Sequence, residues 1–540
     1  TIQDIKEKNY AGIIHDDTSN KFCLWSVVAF KDVHEEMEEE MDNDLGIGTS
    51  EEVIRTPEEE SAIARKNLEE KTDIMEEGQV LQNEFIEILT GEFAKQFLDE
   101  RRPFNPAEVS PETPSSGYDN LIPPYDIQLT EGSTPVYTRS YDMSGEKQEN
   151  LSIIINDLLA KGLIQPSTSN FGSPALMVKK KAKGEWRLCI DYRRLNNITV
   201  RDRYSLPTDN SLFLKCSGMR YFTSFDIKDG FFSLPISKQT RGKTAFTSPL
   251  GSYEWLVLPQ GLSSSPSHFQ RVMNYVLRDF IGTSVLIFID DILICTKTLE
   301  EHLDLVKKVL RALKNYNIRL KVAKCSFAKS TVKFLGHIIC SNHECGDFSG
   351  ITSISADGDK VKDILETEEP SNYKELMSFL GMCVYQKSLV DDYSNISAPL
   401  HEVASIKWNA ETKKEYWTSN HSEAFIKLKE AIAAKVSLAI PNRSQTFWLT
   451  SDASDYAIGG HIDQIFNTPD GDVMRTVAFF SKKLNQTQRN WDTTERELYA
   501  IIYCCNKFHY LLEGSKVIIR TDHNPLRFLK TKGALSPKQV

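Results

Sequence analysis

The chain has 540 residues, 40% of them hydrophobic and 26% charged, with a mean hydropathy of -0.36. This is the composition of a globular protein of roughly three or four domains, and no apolar run approaches the ~18 residues a membrane-spanning helix needs. The net charge of -11 hides an asymmetry: residues 1–100 hold 9 Lys and Arg against 27 Asp and Glu, a balance of -18, which leaves +7 for residues 101–540. Within 171–250 there are 15 basic and 6 acidic residues, and an acidic leader joined to a basic body fits a body that binds a polyanion. The ten cysteines are scattered without a paired framework, which points to a reducing compartment. The chain starts at Thr1 with no basic-plus-apolar leader, so no secretion signal is expected, and it reads as a piece of something longer.

Residues 31–60 are too charged to bury a face and read as linker. Helical spacing follows over 61–100, with Leu81, Phe85, Ile88 and Leu89, and then a Pro-, Ser- and Gly-rich lead-in over 103–135. A folded body is predicted from Lys147, opening with a helix that carries Leu151, Ile154, Ile155, Leu158 and Leu159 and stops at Lys161-Gly162. Strands fit 175–179 and 186–190, joined by the basic turn KKKAKGE, then 221–226 and 252–258. A helix fits 267–280, a hairpin 285–295 and a helix 302–316; residues 341–360 form a polar break, and helices continue to about Lys435. From Thr446 the pattern is a strand over FWLTSDAS, a strand over RTVAFFS, a helix over 493–512, a strand over KVIIRTD and a helix over NPLRFLK. Strands and helices without regular alternation predict an α+β multidomain chain.

Val285–Cys295 reads VLIFIDDILIC, two neighbouring carboxylates inside an apolar, β-branched run. Adjacent carboxylates repel unless a cation sits between them. A tight hairpin whose tip holds a hard divalent metal accounts for them; an exposed Asp-Asp turn is the plainer alternative. A third carboxylate, Asp226, stands at the strand end that opens FDIKDGFF (225–232). Asp226, Asp290 and Asp291 are the donor set two Mg²⁺ ions need, one activating a 3′-hydroxyl and one neutralising the leaving pyrophosphate.

FDIKDGFF, LPQG (258–261), FIDD (288–291) and FLGH (334–337) together resemble the palm of a reverse transcriptase, and KKKAKGEWRLCIDYRRLN resembles its fingers. FLGMCVYQKSLVDDYSNISAPL (379–400) is similar to the stretch between polymerase and nuclease in gypsy-type LTR retrotransposon Pol polyproteins. The resemblance covers roughly residues 135–540. It implies a right-hand polymerase with fingers, palm, thumb and connection, followed by an RNase H-like α/β domain. Lys180 and Arg187 would grip the incoming deoxynucleoside triphosphate, arginine by its bidentate fork. Backbone N–H groups at Asp229 and Gly230 would cradle its phosphates, Phe231 would stack under the sugar, and Gln260 would contact the nucleotide or template. Simple core packing is the alternative for Phe231. Phe334, Leu335, Gly336 and His337 would position the primer end, as would Phe288, where the family usually has tyrosine; the missing hydroxyl predicts altered rate or fidelity.

Asp452 on a strand, Glu497 beside the apolar stripe of a helix and Asp522 at a strand end form a second acidic set, with Glu495 read as a helix cap. Their order resembles the RNase H domain of the same elements, which implies two-metal cleavage of the RNA in an RNA–DNA hybrid. The family supplies a fourth carboxylate farther on, so the nuclease is expected to be C-terminally incomplete and weak or inactive as it stands. The expected organisation is an acidic leader over 1–100, fingers and palm over 101–342, thumb and connection over 343–440, and RNase H over 441–540. The expected cofactor is Mg²⁺, two per site, or Mn²⁺. Expected partners are an RNA template, a DNA primer, an RNA–DNA hybrid, deoxynucleoside triphosphates and other parts of the same polyprotein. No membrane is expected; the location is a cytoplasmic virus-like particle, with passage of the parent element into the nucleus. Two rival readings are a decayed or domesticated copy that only binds nucleic acid, and a host- or intron-type reverse transcriptase.

Overall fold

Apolar residues at i, i+3, i+4 and i+7 drive the first long helix, α1 (Gly145–Ala160), whose Leu151, Ile154, Ile155 and Leu158 are buried. It ends in a Schellman turn: Gly162 (φ 65°) donates to Leu159 O at 3.0 Å, and Leu163 N–H reaches back to Leu158 O at 3.0 Å. The computed structural model describes residues 124–179, 186–282, 284–316, 318–321, 324–341, 351–434, 436–468, 471–522 and 526, with the backbone of 13–16, 21–24 and 47–48. The predictions for Lys180, for most of the acidic leader and for the last helix lie outside those residues. Two units emerge, Glu36–Lys215 with Tyr221–Lys329, and Thr1–Glu35 with Cys216–Arg220 and Ser330–Val540.

In the Tyr221–Lys329 unit, β1 (Ser173–Lys179) and β2 (Trp186–Ile190) pair antiparallel within a six-stranded sheet. A second, four-stranded sheet carries the site. Its strands are β3 (Tyr221–Asp226), β4 (Val285–Phe288), β5 (Asp291–Thr296) and β6 (Ser326–Lys329), in the order β4-β5-β3-β6. Helices α2 (Ser265–Val276) and α3 (Leu299–Asn315) supply Phe269, Met273, Val306 and Leu310 to one continuous core with Phe225, Ile287, Ile292 and Phe327. A polar cluster is built into this core: His302 Nε2 lies 2.7 Å from Thr223 Oγ1 on β3, and Nδ1 lies 2.9 Å from Thr296 Oγ1 on β5. Both ring nitrogens are satisfied, and burial drives the imidazole pKa down to about 3.

In the other unit, β7 (Thr331–Phe334), β8 (His337–Cys340), β9 (Ser353–Ala356) and β10 (Ser437–Ala439) form one antiparallel sheet. Strand β9 corrects the polar break expected over 341–360: its backbone pairs on both edges, so it needs no apolar alternation to be held. The same pairing groups the 331–340 hairpin with this unit rather than with the palm. Helices α4 (Tyr373–Val384), α5 (Tyr393–Ala404) and α6 (Ser419–Ala433) bury Leu376, Phe379, Leu400, Phe425 and Leu428 together. The last sheet contains β11 (Phe447–Ala453), β12 (Ala457–Thr468), β13 (Gly471–Lys483) and β14 (Val517–Arg520), with β11 and β14 parallel and α7 (Thr493–Lys507) packed on β11. Strands Ile13–Asp16 and Lys21–Leu24 of the leader extend it beyond β14.

Candidate active sites

The backbone resolves the conflict of two aspartates in an apolar run by turning there. Phe288 pairs with Asp291, so the turn is only Ile289 and Asp290. Asp291 in turn pairs across the sheet with Asp226 at the end of β3, which brings their Cα atoms to about 5 Å. Ile289 adopts φ 51°, a left-handed conformation that costs a β-branched residue about 1–3 kcal/mol.

The three carboxylates feel one another. Burial first, then Asp291 and Asp226, push the Asp290 carboxyl up to about 7. Burial and then Asp226 push Asp291 up to about 6. Asp290 Oδ1 is buried with no hydrogen-bond partner among the described residues. Lys324 opposes both shifts, and its Nζ lies 3.1 Å from Asp226 Oδ2. Sequence reasoning missed Lys324: it lies 98 positions from Asp226, and no local pattern marks it. Among the described residues no three acidic, histidine or cysteine side chains are grouped closely enough to hold a metal ion as they stand. The donor chemistry nonetheless fits a hard divalent ion, which would supply the partner that Asp290 Oδ1 lacks.

Around this edge the predicted nucleotide residues fall out unevenly. Asp229 (φ 49°) caps a single 3₁₀ turn, Gly230–Ser233. Gly230 is required by crowding: a Cβ there would lie 2.8 Å from Asp290 Oδ1 and 2.9 Å from Phe269 Cζ. The Phe231 ring is 2% exposed and packs on Phe269 at 5.1 Å, beside the turn that carries Gly230. Arg187 on β2 and Gln260 in the LPQG loop keep a buried Nε and a buried Oε1 that find no partner among the described residues, as a site for a polar ligand would. Gly261 (φ 90°) turns that loop, and its carbonyl is held by Asn196 Nδ2 at 3.0 Å.

Phe288 precedes the turn as the partner of Asp291. Phe334, Leu335, Gly336 and His337 belong to the other unit. There, Phe334 pairs with His337 around a two-residue turn, Leu335 (φ 47°) and Gly336 (φ 64°), the φ signature of a type I′ hairpin. Tyr385 donates to Leu335 O, and the Lys360 ammonium stands 3.9 Å over the Tyr385 ring.

The second acidic set gathers around the ends of β11 and β14. Asp452 is exposed on β11 and accepts from Ala453 N–H at 2.8 Å. Glu497 on α7 is only 3% exposed; its Oε1 accepts from the same N–H at 3.1 Å, and its Oε2 is buried with no partner among the described residues. Burial chiefly, with Asp452 and Asp522 adding, raises its carboxyl to about 7 against the pull of the Ala453 N–H. Asp522 lies exposed just past β14. Glu495 caps the helix as expected: Asp492 accepts from its N–H at 2.8 Å, and Glu495 Oε2 accepts from Asp492 N–H at 3.4 Å.

Comparison with known proteins agrees with this geometry. Residues 178–339 match the family described as reverse transcriptase (RNA-dependent DNA polymerase), and residues 417–519 match the RNase H-like domain found in reverse transcriptase. The chain is 33% identical to the retrovirus-related Pol polyprotein from transposon 297 of Drosophila melanogaster, over 74% of this chain and 36% of that one. It is 32% identical to that from transposon gypsy of the same organism (74% and 38%) and 31% identical to the transposon Tf2-3 polyprotein of Schizosaccharomyces pombe (74% and 29%). The chain thus spans well under half the length of these relatives. The fold is similar to foamy viral protease-reverse transcriptase in complex with dsDNA (TM-score 0.70, 22% identity, 90% of this chain and 93% of that one). It is equally similar to that protein in complex with RNA/DNA hybrid (TM-score 0.69, 22% identity, 91% and 62%).

Proposed function

We propose that this chain, a member of the LTR-retrotransposon Pol family by its reverse transcriptase and RNase H-like domains, copies RNA and DNA templates into DNA and cuts the RNA of RNA–DNA hybrids. The observation that carries the polymerase reading is the cross-strand pairing of Asp226 with Asp291, with Asp290 in the turn between β4 and β5. Asp226, Asp290 and Asp291 would hold the divalent ions, Mg²⁺ or Mn²⁺, whose chemistry is to acidify a 3′-hydroxyl and neutralise a departing pyrophosphate. The chain's own residues bring the substrates to that edge. Arg187 and Gln260 offer polar atoms to a deoxynucleoside triphosphate, and the Asp229–Gly230 backbone, where crowding against Asp290 excludes a side chain at Gly230, would offer its N–H groups to the phosphates. The 15 basic residues over 171–250 suit a nucleic acid backbone. The foamy viral relatives bound to dsDNA and to RNA/DNA hybrid support both duplexes as partners.

For the nuclease, Asp452, Glu497 and Asp522 would hold the metals, with Glu497 kept half protonated near neutral pH until a cation arrives. Primer extension on an RNA template, with Asp290→Asn beside the wild type, tests the polymerase reading. Incorporation by the wild type alone supports it, and equal, negligible incorporation by both favours a copy that only binds nucleic acid.

A further inference from the structure

The turn that presents Asp290 cannot hold its own shape cheaply, because isoleucine at φ 51° is a conformation that L-residues with branched Cβ atoms avoid. Something outside the hairpin must hold it there. That something is on α2. Gln270 is 1% exposed, yet every polar atom of its side chain is used. Its Oε1 accepts from Ile289 N–H at 2.7 Å, while its Nε2 donates to Ile287 O at 3.2 Å and to Asn274 Oδ1 at 2.9 Å. Asn274, one helical turn on, is itself fixed by donating to Tyr204 Oη at 2.7 Å. Its neighbour Phe269 meets the other side of the site, packing under Phe231 and against the place where a Gly230 Cβ would stand.

We infer that Gln270 is a positioning residue for nucleotidyl transfer, clamping the strained Ile289 backbone so that Asp290 faces Asp226 and Asp291. A buried amide that donates and accepts at once suits this task better than a charge. It bridges one N–H and one carbonyl of the same turn and adds nothing to the repulsion among the carboxylates. Gln270 touches no carboxylate and would touch no substrate, so it would act only through the backbone it holds. The inference rests on the polymerase reading of this site.

Gln270→Met keeps length and burial and removes both hydrogen-bonding ends. Hydrogen exchange of the 285–295 segment should accelerate by about tenfold or more at Ile289, with the rest of the palm unchanged. Single-turnover incorporation should slow by about 10- to 100-fold while the nucleotide KM moves less than about threefold, the split expected of a misplaced catalytic group. Gln270→Glu gives a second, independent readout. Protonated, its carboxyl can accept and donate as the amide does; ionised, it has no donor, so its rate relative to wild type should fall as pH rises from 6 to 8.5. If Gln270→Met does not fold, Gln270→Glu carries the test alone. Unchanged Ile289 exchange and unchanged rate in folded Gln270→Met would overturn the inference, as would Gln270→Glu tracking wild type across that pH range. A wild-type chain that incorporates no nucleotide, but whose Ile289 exchange still responds to Gln270→Met, would sink the polymerase reading and leave the clamp standing.

Discussion

Asp290→Asn should make the metal-free protein harder to melt at neutral pH while ending nucleotide incorporation. The folded protein holds this carboxyl at about 7, against 3.8 for a free aspartate. At ~1.36 kcal/mol per pH unit, abolishing that titration would stabilise the protein at pH 7.5 by at most about 4 kcal/mol. The repulsion is shared with Asp291 and Asp226, and the new amide would still lack a partner at Oδ1, so about 2 kcal/mol is the expected gain. In a unit of this size that is a rise of about 4–8 °C in the melting temperature. The folded state binds the Asp290 proton more tightly than the unfolded chain does. Its contribution is therefore fully present below 3.8 and lost as pH rises through about 7. Calorimetry in chelator should show the wild type falling behind the variant at pH 7.5, with the gap shrinking to less than about half at pH 5. Magnesium should raise the wild-type transition more than that of the variant, because only the wild type offers the full anionic set. A variant melting no higher than wild type at pH 7.5, or a gap unchanged at pH 5, would refute the picture of a desolvated, self-repelling cluster.

Gly230→Ala forces a methyl against Asp290 Oδ1 and the Phe269 ring, so primer extension should drop by about 100-fold with a loss of about 1–3 kcal/mol in urea titrations. His302→Gln should cost about 2 kcal/mol at pH 7 by disturbing the hydroxyls of Thr223 and Thr296. That cost should shrink at pH 5, because the wild type loses stability as pH falls from 6.5 toward about 3 while only the unfolded chain takes up the proton; urea midpoints at the two pH values check it. Glu497→Gln should reduce cleavage of the RNA in a labelled hybrid by about 100-fold or more and leave primer extension intact, whereas Glu495→Gln, at the helix cap, should leave cleavage nearly unchanged.

Much of this was legible in the sequence, because the elements that carry the chemistry obey local rules. The strands ending in Ile190 and Asp226 fall where alternation and turn residues put them, and the Asp-Asp tip can only be a turn. What escaped depends on neighbours distant along the chain. Strand β12 was not predicted because Gly459 and Gly460 break its pattern, yet the structure needs Gly460: a Cβ there would lie against the Thr450 carbonyl, closer than any contact permits. Gln270 looked like one polar residue on a helix, and only the fold shows that its amide meets Ile289.

The two-residue link between Phe288 and Asp291 has a consequence for how this chain can diverge. A strand alternates sides at every residue, so one residue inserted or deleted there would rotate all of β5 onto its opposite surface and carry Asp291 away from Asp226. The side chain at Ile289 can drift, but the length of the tip and the carboxylate at Asp290 cannot. Indel-tolerance libraries spanning 286–293 should return only in-frame survivors of unaltered spacing.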